Sequence, residues 1–365
     1  MSKARELAEL GAVYDSGALS NRNLIINGAM QVAQRGTSTT ASSQIAFSSP
    51  DRFRFQTNKN SDSVVSQVSD APDGFNYSLK VTVGTGATPS GTDFGRLYHR
   101  NEGFDAKVFN LGSSSSKAIT LSFYVKSSLT GTFGVTFAGD GNGSFVSSYV
   151  INSANTWEFK TVSIPAGVWT TYNGSTTNGI GFQVGFDLGE GPDRSSAAGY
   201  SASVSSGSMG LTGGTKLIAT SSATWQLTGV QLEVGTEATP FEHRSFSDEL
   251  ARCQRYFNRY ASSGGFTAIM PSINGGTTNA RCGVTLSTKL RTTPTVTASA
   301  TDALQIRNAG SFTTHASTGL ALGNEQQTSP NVVLLSVTVA SGLTSAGINI
   351  PYLNTDAHLD FDAEL

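Results

Sequence analysis

The sequence predicts an all-β protein whose main domain is a jelly-roll β-sandwich, and three observations support this fold class. Charged residues make up only 14% of the 365 residues, whereas glycine occurs 40 times. This composition is typical of short strands joined by polar turns. Residues 77–83 and 121–126 alternate apolar and polar side chains, as in a sheet with one dry face. Eight or more such segments precede residue 240, which favours a jelly roll.

The first residues form a separate segment. Residues 2–10 predict a short helix with Leu7 and Leu10 on one side. A helix of this length is marginal in water, so we expect it to dock on a partner. Residues 1–22 are therefore predicted to be an anchoring helix followed by a linker.

Strand patterns fill the predicted jelly-roll domain, residues 23–243. They occur at 24–26, 51–56, 77–83, 119–126, 132–137, 145–151, 159–164 and 180–188. Residues 195–215 are rich in Ser, Ala and Gly and predict a long surface loop. Residues 225–234 predict the closing strand, with a bulge at Thr228-Gly229.

A connecting helix is predicted within residues 244–260. Ser245 and Asp248 have the spacing of a capping box at its start. The apolar face expected to pack consists of Phe246, Leu250, Cys253 and Phe257. Strand patterns return within residues 261–365, which predict a smaller C-terminal β-sandwich of ordinary domain size.

Composition and motifs exclude several partners and cofactors. The net charge is −2 and there is no run of lysine or arginine, so nucleic-acid binding is not expected. Cys253 and Cys282 share no metal-ligand spacing with each other or with histidines and are expected to be free buried thiols. No apolar run approaches the ~18 residues that span a bilayer, so we expect a chain without membrane insertion, made in the cytoplasm. Neither a cofactor nor a metal is expected.

Several segments resemble surface proteins of tailed bacteriophages. They are NLIINGAMQVAQRGTS at 23–38, DRF at 51–53, FQVGFDLG at 182–189, GVQLEVG at 229–235, ATPFEHR at 238–244 and ELARCQRY at 249–256. The block from 229 to 256 is similar to one in tail fibres, and the resemblance covers most of residues 23–260. It implies a carbohydrate-binding-module-like jelly roll on the virion surface, in a homotrimer. It also implies that the N-terminus, with Leu7 and Leu10, docks on other virion proteins.

Aromatic residues in predicted loops are the candidate glycan-binding groups, because exposed rings stack on the apolar faces of sugars. Trp169 and Tyr172 lie in PAGVWTTYNGSTTNG, whose prolines, glycines and asparagines predict a loop. The alternative is that these rings belong to the core. Tyr98 and Arg100 form a second candidate, with a solvated strand edge as the alternative. Trp157 and Trp225 adjoin predicted strands and are assigned to the core.

The sequence contains no motif of known catalytic chemistry. HExxH, GxSxG and a phosphate-binding glycine loop are all absent. Asp187 and Glu190 could cleave a glycosidic bond if held ~5 to 9 Å apart, but two acids in one acidic loop are typically solvated. We therefore expect no catalytic residues.

These observations favour a non-enzymatic tail fibre or fibre-like attachment protein that recognises a host-surface polysaccharide. Two alternatives stay open. One is a head-decoration or tail-connecting protein without receptor binding, and the other is a depolymerase that degrades capsule.

Overall fold

The computed structural model describes residue 3 and residues 21–40, 49–59, 62–140, 142–205, 209–262, 264–269, 271–308, 313–322 and 331–365. Leu7 and Leu10 lie outside the described residues. The chain divides into two compact units, unit 1 with Met1–Glu249 and Leu365, and unit 2 with Leu250–Glu364. The division falls inside residues 244–260, the segment predicted to connect two domains.

Unit 1 is a sandwich of two antiparallel six-stranded sheets. Its described strands are β1 (Ser38–Thr40), β2 (Phe53–Thr57), β3 (Val64–Val68), β4 (Ser78–Thr82), β5 (Gly95–Glu102), β6 (Ile119–Ser127), β7 (Gly131–Ala138), β8 (Asn142–Ile151), β9 (Glu158–Ile164), β10 (Ile180–Asp187), β11 (Ser195–Ser196), β12 (Gly199–Ser205), β13 (Gly210–Leu211) and β14 (Thr224–Val234). Sheet I has the order β1-β3-β4-β14-β6-β9, and sheet II has the order β12-β8-β7-β10-β5-β2. β11 and β13 form a separate parallel pair. A one-turn helix, α1 (Gly103–Ala106), follows β5.

The core of unit 1 lies between sheets I and II and is rich in aromatic rings. The Phe123 ring contacts Tyr149 and Phe186 with centroids 5.1 and 5.2 Å apart. The Trp225 ring lies 5.4 Å from Phe186, and its Nε1 donates a hydrogen bond to the Tyr149 hydroxyl at 3.2 Å. The predictions of an all-β sandwich and of Trp225 in its core are both confirmed.

Several elements of unit 1 differ from the sequence-based expectation. Strands β1, β3 and β5 were not predicted, because polar residues interrupt their alternation: β5 reads GRLYHRNE and is buried on both faces. Residues 24–26 were predicted to form a strand, but none of the described strands includes them. Residues 195–215 were predicted to be a surface loop, but they contain β11, β12 and β13. There β11 pairs with β13 and β12 pairs with β8, which composition alone does not reveal. The bulge predicted in β14 is confirmed by a register shift between Thr228 and Gln231.

Residues 23–32 are fixed to β14 by buried hydrogen bonds. The Asn23 side chain donates to the Val230 carbonyl at 3.0 Å and accepts from the amides of Ile25 and Leu232 at 2.9 and 3.1 Å. At Gly28, a Cβ atom would lie 2.2 Å from the Val230 carbonyl oxygen. Only glycine therefore allows this segment to approach the strand so closely.

The connecting helix, α2 (Phe246–Gln254), is shorter than predicted and packs with a different face. Its start is as expected, since the Ser245 hydroxyl accepts a hydrogen bond from the Asp248 amide at 3.2 Å. Phe246, however, is 55% exposed, Leu250 is half-buried, and Phe257 belongs to the following strand. Helical spacing cannot place Phe257 beside Cys253 once the helix has ended. The predicted packing face is thus wrong for Phe246, whereas Cys253 is buried on the helix and Phe257 is buried in the strand that follows.

Unit 2 has a three-stranded and a seven-stranded sheet. Its described strands are β15 (Phe257–Ala261), β16 (Thr267–Ala268), β17 (Ser272–Asn274), β18 (Asn279–Thr285), β19 (Thr295–Ala298), β20 (Leu304–Asn308), β21 (Thr314–Leu322), β22 (Val332–Val339), β23 (Ile348–Leu353) and β24 (His358–Asp362). Sheet III has the order β15-β24-β19, and sheet IV has the order β16-β23-β17-β18-β22-β21-β20. An additional pairing of β23 with β20 closes sheet IV on itself. Residues of both sheets share one core, which contains Cys282.

The side chain of Asn27 provides a test of how residues 23–32 are held. It donates to the carbonyls of Val32 and Asp51 and accepts from the Val32 amide, all at 2.9 to 3.0 Å, with a left-handed φ of 63°. We expect Asn27→Ala to lower the free energy of unfolding of unit 1 by about 3 kcal/mol or more, because it leaves buried partners unsatisfied. Denaturant unfolding followed by tryptophan fluorescence reports on unit 1 alone, since all three tryptophans lie there.

Asn155→Ala is the matched control. Asn155 has a similar φ of 55° but is exposed, so its substitution carries only the backbone cost of about 1 kcal/mol. Equal losses in the two variants would show that the side-chain bonds of Asn27 contribute nothing.

Candidate functional site

A group of aromatic side chains lies on the outer face of sheet I, and we call it the aromatic surface. Its members are Phe75, Tyr124, Phe159, Phe241 and His243. Tyr124 alternates with Phe123 and Val125, whose side chains are buried in the core, so the Tyr124 ring points outward. Phe159 lies on the outer side of β9 for the same reason and is 50% exposed.

Each ring of the aromatic surface contacts at least one neighbouring ring. Tyr124 lies 5.0 Å from Phe159 and 5.6 Å from Phe75, measured between ring centroids. Phe75 lies 5.0 Å from Phe241 and 5.4 Å from His243. Such spacings are those of favourable tilted or edge-to-face pairs. The contacts fix the positions of the rings and leave Phe159 open to solvent at one end.

A cleft of about 270 Å³ lies among these rings. The β14 bulge shapes it, because Gly229 has a φ of 61° and a Cβ there would lie 2.7 Å from the Phe75 ring and 3.0 Å from Tyr124. Asp73, Ser122 and Thr239 also line the cleft. The volume is just below the ~300 Å³ at which small-molecule sites begin, which suits one sugar ring better than a long ligand.

Trp157 lies beside Asp70 and Lys126 and does not belong to the core, contrary to our prediction. It is half-buried, its Nε1 donates to Asp70 at 3.2 Å, and the Lys126 ammonium lies 5.2 Å from its ring. Burial opposes ionisation of Asp70, but hydrogen bonds, first that from Lys126, lower the pKa of Asp70 below its ordinary value. Trp157 lies before the first residue of β9. It is therefore not among the strand residues whose side chains point into the core, which explains why it is only half-buried.

Trp169 and Tyr172, the predicted glycan-binding rings, are not displayed to solvent. Trp169 is only 1% exposed and packs on Phe182 and Tyr200, each with centroids 5.6 Å away. Tyr172 is half-buried, and its hydroxyl lies 2.8 Å from the Gly181 carbonyl oxygen. Burial raises the pKa of Tyr172 to about 12. The core alternative is therefore the one that the structure supports for Trp169.

Tyr98 and Arg100 are also covered. Both lie on the outer face of sheet II, where Tyr98 is buried and the Arg100 guanidinium stacks 4.7 Å from its ring. Met209 lies across this face and is held by the Thr136 hydroxyl, which donates to the Met209 carbonyl at 2.8 Å. An open sugar-binding groove on sheet II is thus not present among these residues.

Substitution of Trp169 and of Trp157 by alanine should reduce stability by different amounts, because only Trp169 is buried in the core. We expect Trp169→Ala to lower the free energy of unfolding of unit 1 by about 3 to 5 kcal/mol, since it empties a packed site. Trp157→Ala removes a half-exposed ring and should cost no more than about 1 kcal/mol. Circular dichroism during denaturation measures both. A small loss in Trp169→Ala would contradict its position in the core.

Asp187 and Glu190 are buried rather than solvated, contrary to the expectation for an acidic loop. Asp187 accepts hydrogen bonds from the amides of Gly189, Glu190 and Leu211 and from the Lys216 ammonium, at 2.8 to 3.0 Å. These bonds make it a structural anchor. Glu190 lies 2.7 Å from the Arg96 guanidinium. Burial raises the pKa of Glu190, because it outweighs the opposing charge of Arg96.

The buried carboxyl of Glu190 predicts a pH dependence. Its pKa is raised from 4.5 to about 8, so its contribution to stability is complete below pH ~4.5 and is lost as the pH rises through about 8. Arg96, Asp187, Arg194 and Lys216 are the charged groups around it. We expect Glu190→Gln to flatten the fall in unfolding free energy of unit 1 between pH 5 and 8, measured by denaturant titration.

Glu237→Gln serves as the control, since Glu237 is exposed in the same unit and this variant should retain the fall. The assignment would be refuted by a Glu190→Gln protein whose stability varies with pH as in the native chain.

The described residues contain neither a cluster arranged for a metal ion nor a membrane-spanning helix. No group of three or more His, Cys, Asp or Glu side chains there is arranged to hold a metal ion. In the same part of the chain, no helix is both long enough and apolar enough to cross a membrane.

No family model and no curated protein matches the chain. Among solved structures, it is similar to the enzymatically active domain of tailspike protein 4 of bacteriophage CBA120, with 13% identity and a TM-score of 0.33 over 58% of this chain and 21% of that one. It is also similar to the N-terminal cellulose-binding domain of Cellulomonas fimi β-1,4-glucanase C, with 15% identity and a TM-score of 0.29 over 56% and 97%.

A third similar structure is TmCBM61 in complex with β-1,4-galactotriose, with 10% identity and a TM-score of 0.28 over 59% of this chain and 100% of that one. The neighbours thus include a phage tailspike domain and carbohydrate-binding modules. At such identities, the likeness concerns the β-sandwich fold alone.

Proposed function

We propose that this chain is a surface protein of a tailed-bacteriophage virion, a tail fibre or fibre-like attachment protein. Unit 1 binds a host-surface glycan through the aromatic surface. The observation that carries the binding proposal is the half-exposed Phe159 ring beside Tyr124 and an open cleft. The virion assignment rests on the resemblance of residues 23–38 and 229–256, which also implies a homotrimer attached through its N-terminus.

The aromatic surface has the mixed chemistry that sugars require. Phe159 and Tyr124 offer apolar ring faces to the C–H groups of a pyranose. Asp73 and His243 are exposed at the cleft, so a carboxylate and an imidazole are available to the sugar hydroxyls. Fixed rings with a few convergent polar groups are typical of ligand sites.

The nearby charges support a neutral sugar as the ligand of unit 1. Lys126 is paired with Asp70, and Lys160 lies 2.6 Å from Glu158. These two lysine charges thus each have an opposite charge beside them. A neutral sugar needs no net charge on the protein, and stacking with hydrogen bonds provides its affinity.

Binding without cleavage is part of the proposal. The four hydrogen bonds that Asp187 accepts occupy its carboxylate, and Glu190 is held by Arg96. A glycosidase needs two carboxylates on either side of a bound sugar. The arrangement of this pair supports a structural role.

Removal of the exposed ring tests glycan recognition. We expect Phe159→Ala to weaken binding to neutral glycans about tenfold, as measured by calorimetry with the strongest ligand from a glycan array. The midpoint of unfolding should change little, since the ring is half-exposed. Val150→Ala is the matched control, because Val150 is an exposed apolar residue of unit 1 on a strand of sheet II.

Unchanged affinity in Phe159→Ala would overturn the assignment of the site. Light scattering on the same variant shows whether the ring instead joins copies of the chain, in which case the oligomer would dissociate. That result, together with immunogold labelling of the head rather than the tail of virions carrying the gene, would favour the decoration alternative.

A further inference from the structure

A groove of about 500 Å³ lies on the outer surface of sheet IV in unit 2. Its lining residues are Phe266, Ala268, Gln305, Arg307, Asn308, Thr314, Ile350 and Tyr352. The strand register explains why they meet, because Tyr352 pairs with Gln305 and Ile350 pairs with Arg307 between β23 and β20. The alternate residues Leu304, Ile306 and Leu353 belong to the core, so the side chains of Gln305, Arg307, Ile350 and Tyr352 face outward.

Two aromatic rings form one wall of this groove. Phe266 is 66% exposed and makes an edge-to-face contact with Tyr352, with centroids 5.0 Å apart. Ile350 extends the apolar surface along β23 and is also exposed. Exposed apolar side chains gathered at one place on a surface indicate a binding site rather than chance.

Hydrogen bonds hold the Tyr352 ring in place. Its hydroxyl donates to the Gln305 side-chain oxygen at 3.1 Å and lies 3.1 Å from the Thr314 hydroxyl. On the far side, the Asn308 amide nitrogen lies 3.2 Å from the His315 Nε2. A ring fixed in this way loses little entropy when a ligand stacks on it.

Arg307 contributes a positive charge to the lining of the groove. Arg307 is exposed in its lining, and none of the described lining residues is an aspartate or a glutamate. The planar guanidinium donates paired hydrogen bonds that match the geometry of a carboxylate. An aromatic wall facing an arginine therefore suits a ligand with one apolar face and one negative charge.

We propose that this groove binds a carboxylated sugar residue, a uronic or sialic acid of a surface polysaccharide. The pyranose face stacks on Phe266 and Tyr352, and its carboxylate meets Arg307. This inference rests on the proposed glycan recognition, but it assigns a second site, in a different unit, with a charge preference that the aromatic surface of unit 1 does not have.

The test compares acidic oligosaccharides with their own methyl esters on the intact chain. Glucuronate, galacturonate, mannuronate and sialate oligomers are each arrayed beside the ester, which differs only in the carboxylate charge. We expect at least one acid to bind about tenfold or more tightly than its ester. Arg307→Gln should remove this preference and leave ester binding unchanged, whereas Phe266→Ala should weaken both.

The controls separate this site from that of unit 1. Phe159→Ala should retain the full preference for the acid, and so should Ile273→Ala, whose side chain is 63% exposed in unit 2 outside the groove. The proposal is overturned if no acid binds more tightly than its ester, or if folded Arg307→Gln keeps the preference. Loss of neutral-glycan binding in Phe159→Ala bears only on the function proposed for unit 1.

Discussion

The hydrogen-bonded contact between residues 23–32 and the bulge of β14 is the constraint on which unit 1 depends. Asn23 and Gly28 fit against Val230, where no side chain larger than hydrogen can replace Gly28. The Arg244 guanidinium then donates to the carbonyls of Asn23 and Ile25 and lies 3.5 Å from Glu249. A buried arginine is stable only with such partners. The beginning and the end of the sandwich are thus joined by polar groups that satisfy one another.

This contact gives a physical meaning to the segments that resemble phage proteins. NLIINGAM, DRF and GVQLEVG lie far apart in sequence, yet Asn27 donates to the Asp51 carbonyl, and Gly28 lies against Val230. ATPFEHR contributes Arg244 to the same network and Phe241 to the aromatic surface. Asn27, Gly28 and Arg244 are therefore explained by folding, whereas Phe241 belongs to the aromatic surface.

The sequence predicted the sandwich because alternation reports directly which side of a strand is buried. It did not reveal β5, whose residues are buried on both faces, nor the strands within 195–215. The closing strand and its bulge were predicted, but the consequence of the bulge was not. Because Gly229 has no Cβ, the Phe75 ring can pack against it. The two residues are 154 positions apart in the sequence. Pairings at such distance have no local pattern in the chain.

The candidate sites show why aromatic residues are hard to assign from sequence. Trp169 lies in a stretch rich in Gly, Thr and Asn, which predicts exposure, yet Phe182 and Tyr200 enclose its ring. Phe159 is a large apolar ring, yet it lies on the side of β9 opposite the buried Val162 and Ile164 and faces solvent. Alternation predicts that one face of a sheet is buried, but it does not predict which aromatic side chains lie on the solvent-exposed face. The deciding property is the register of each strand, and it applies equally to Tyr352, whose outward position brings it opposite Gln305 and beside Arg307. The recognition proposed for both units therefore depends on rings that the fold places on the solvent-exposed face of a sheet, where burial cannot account for them.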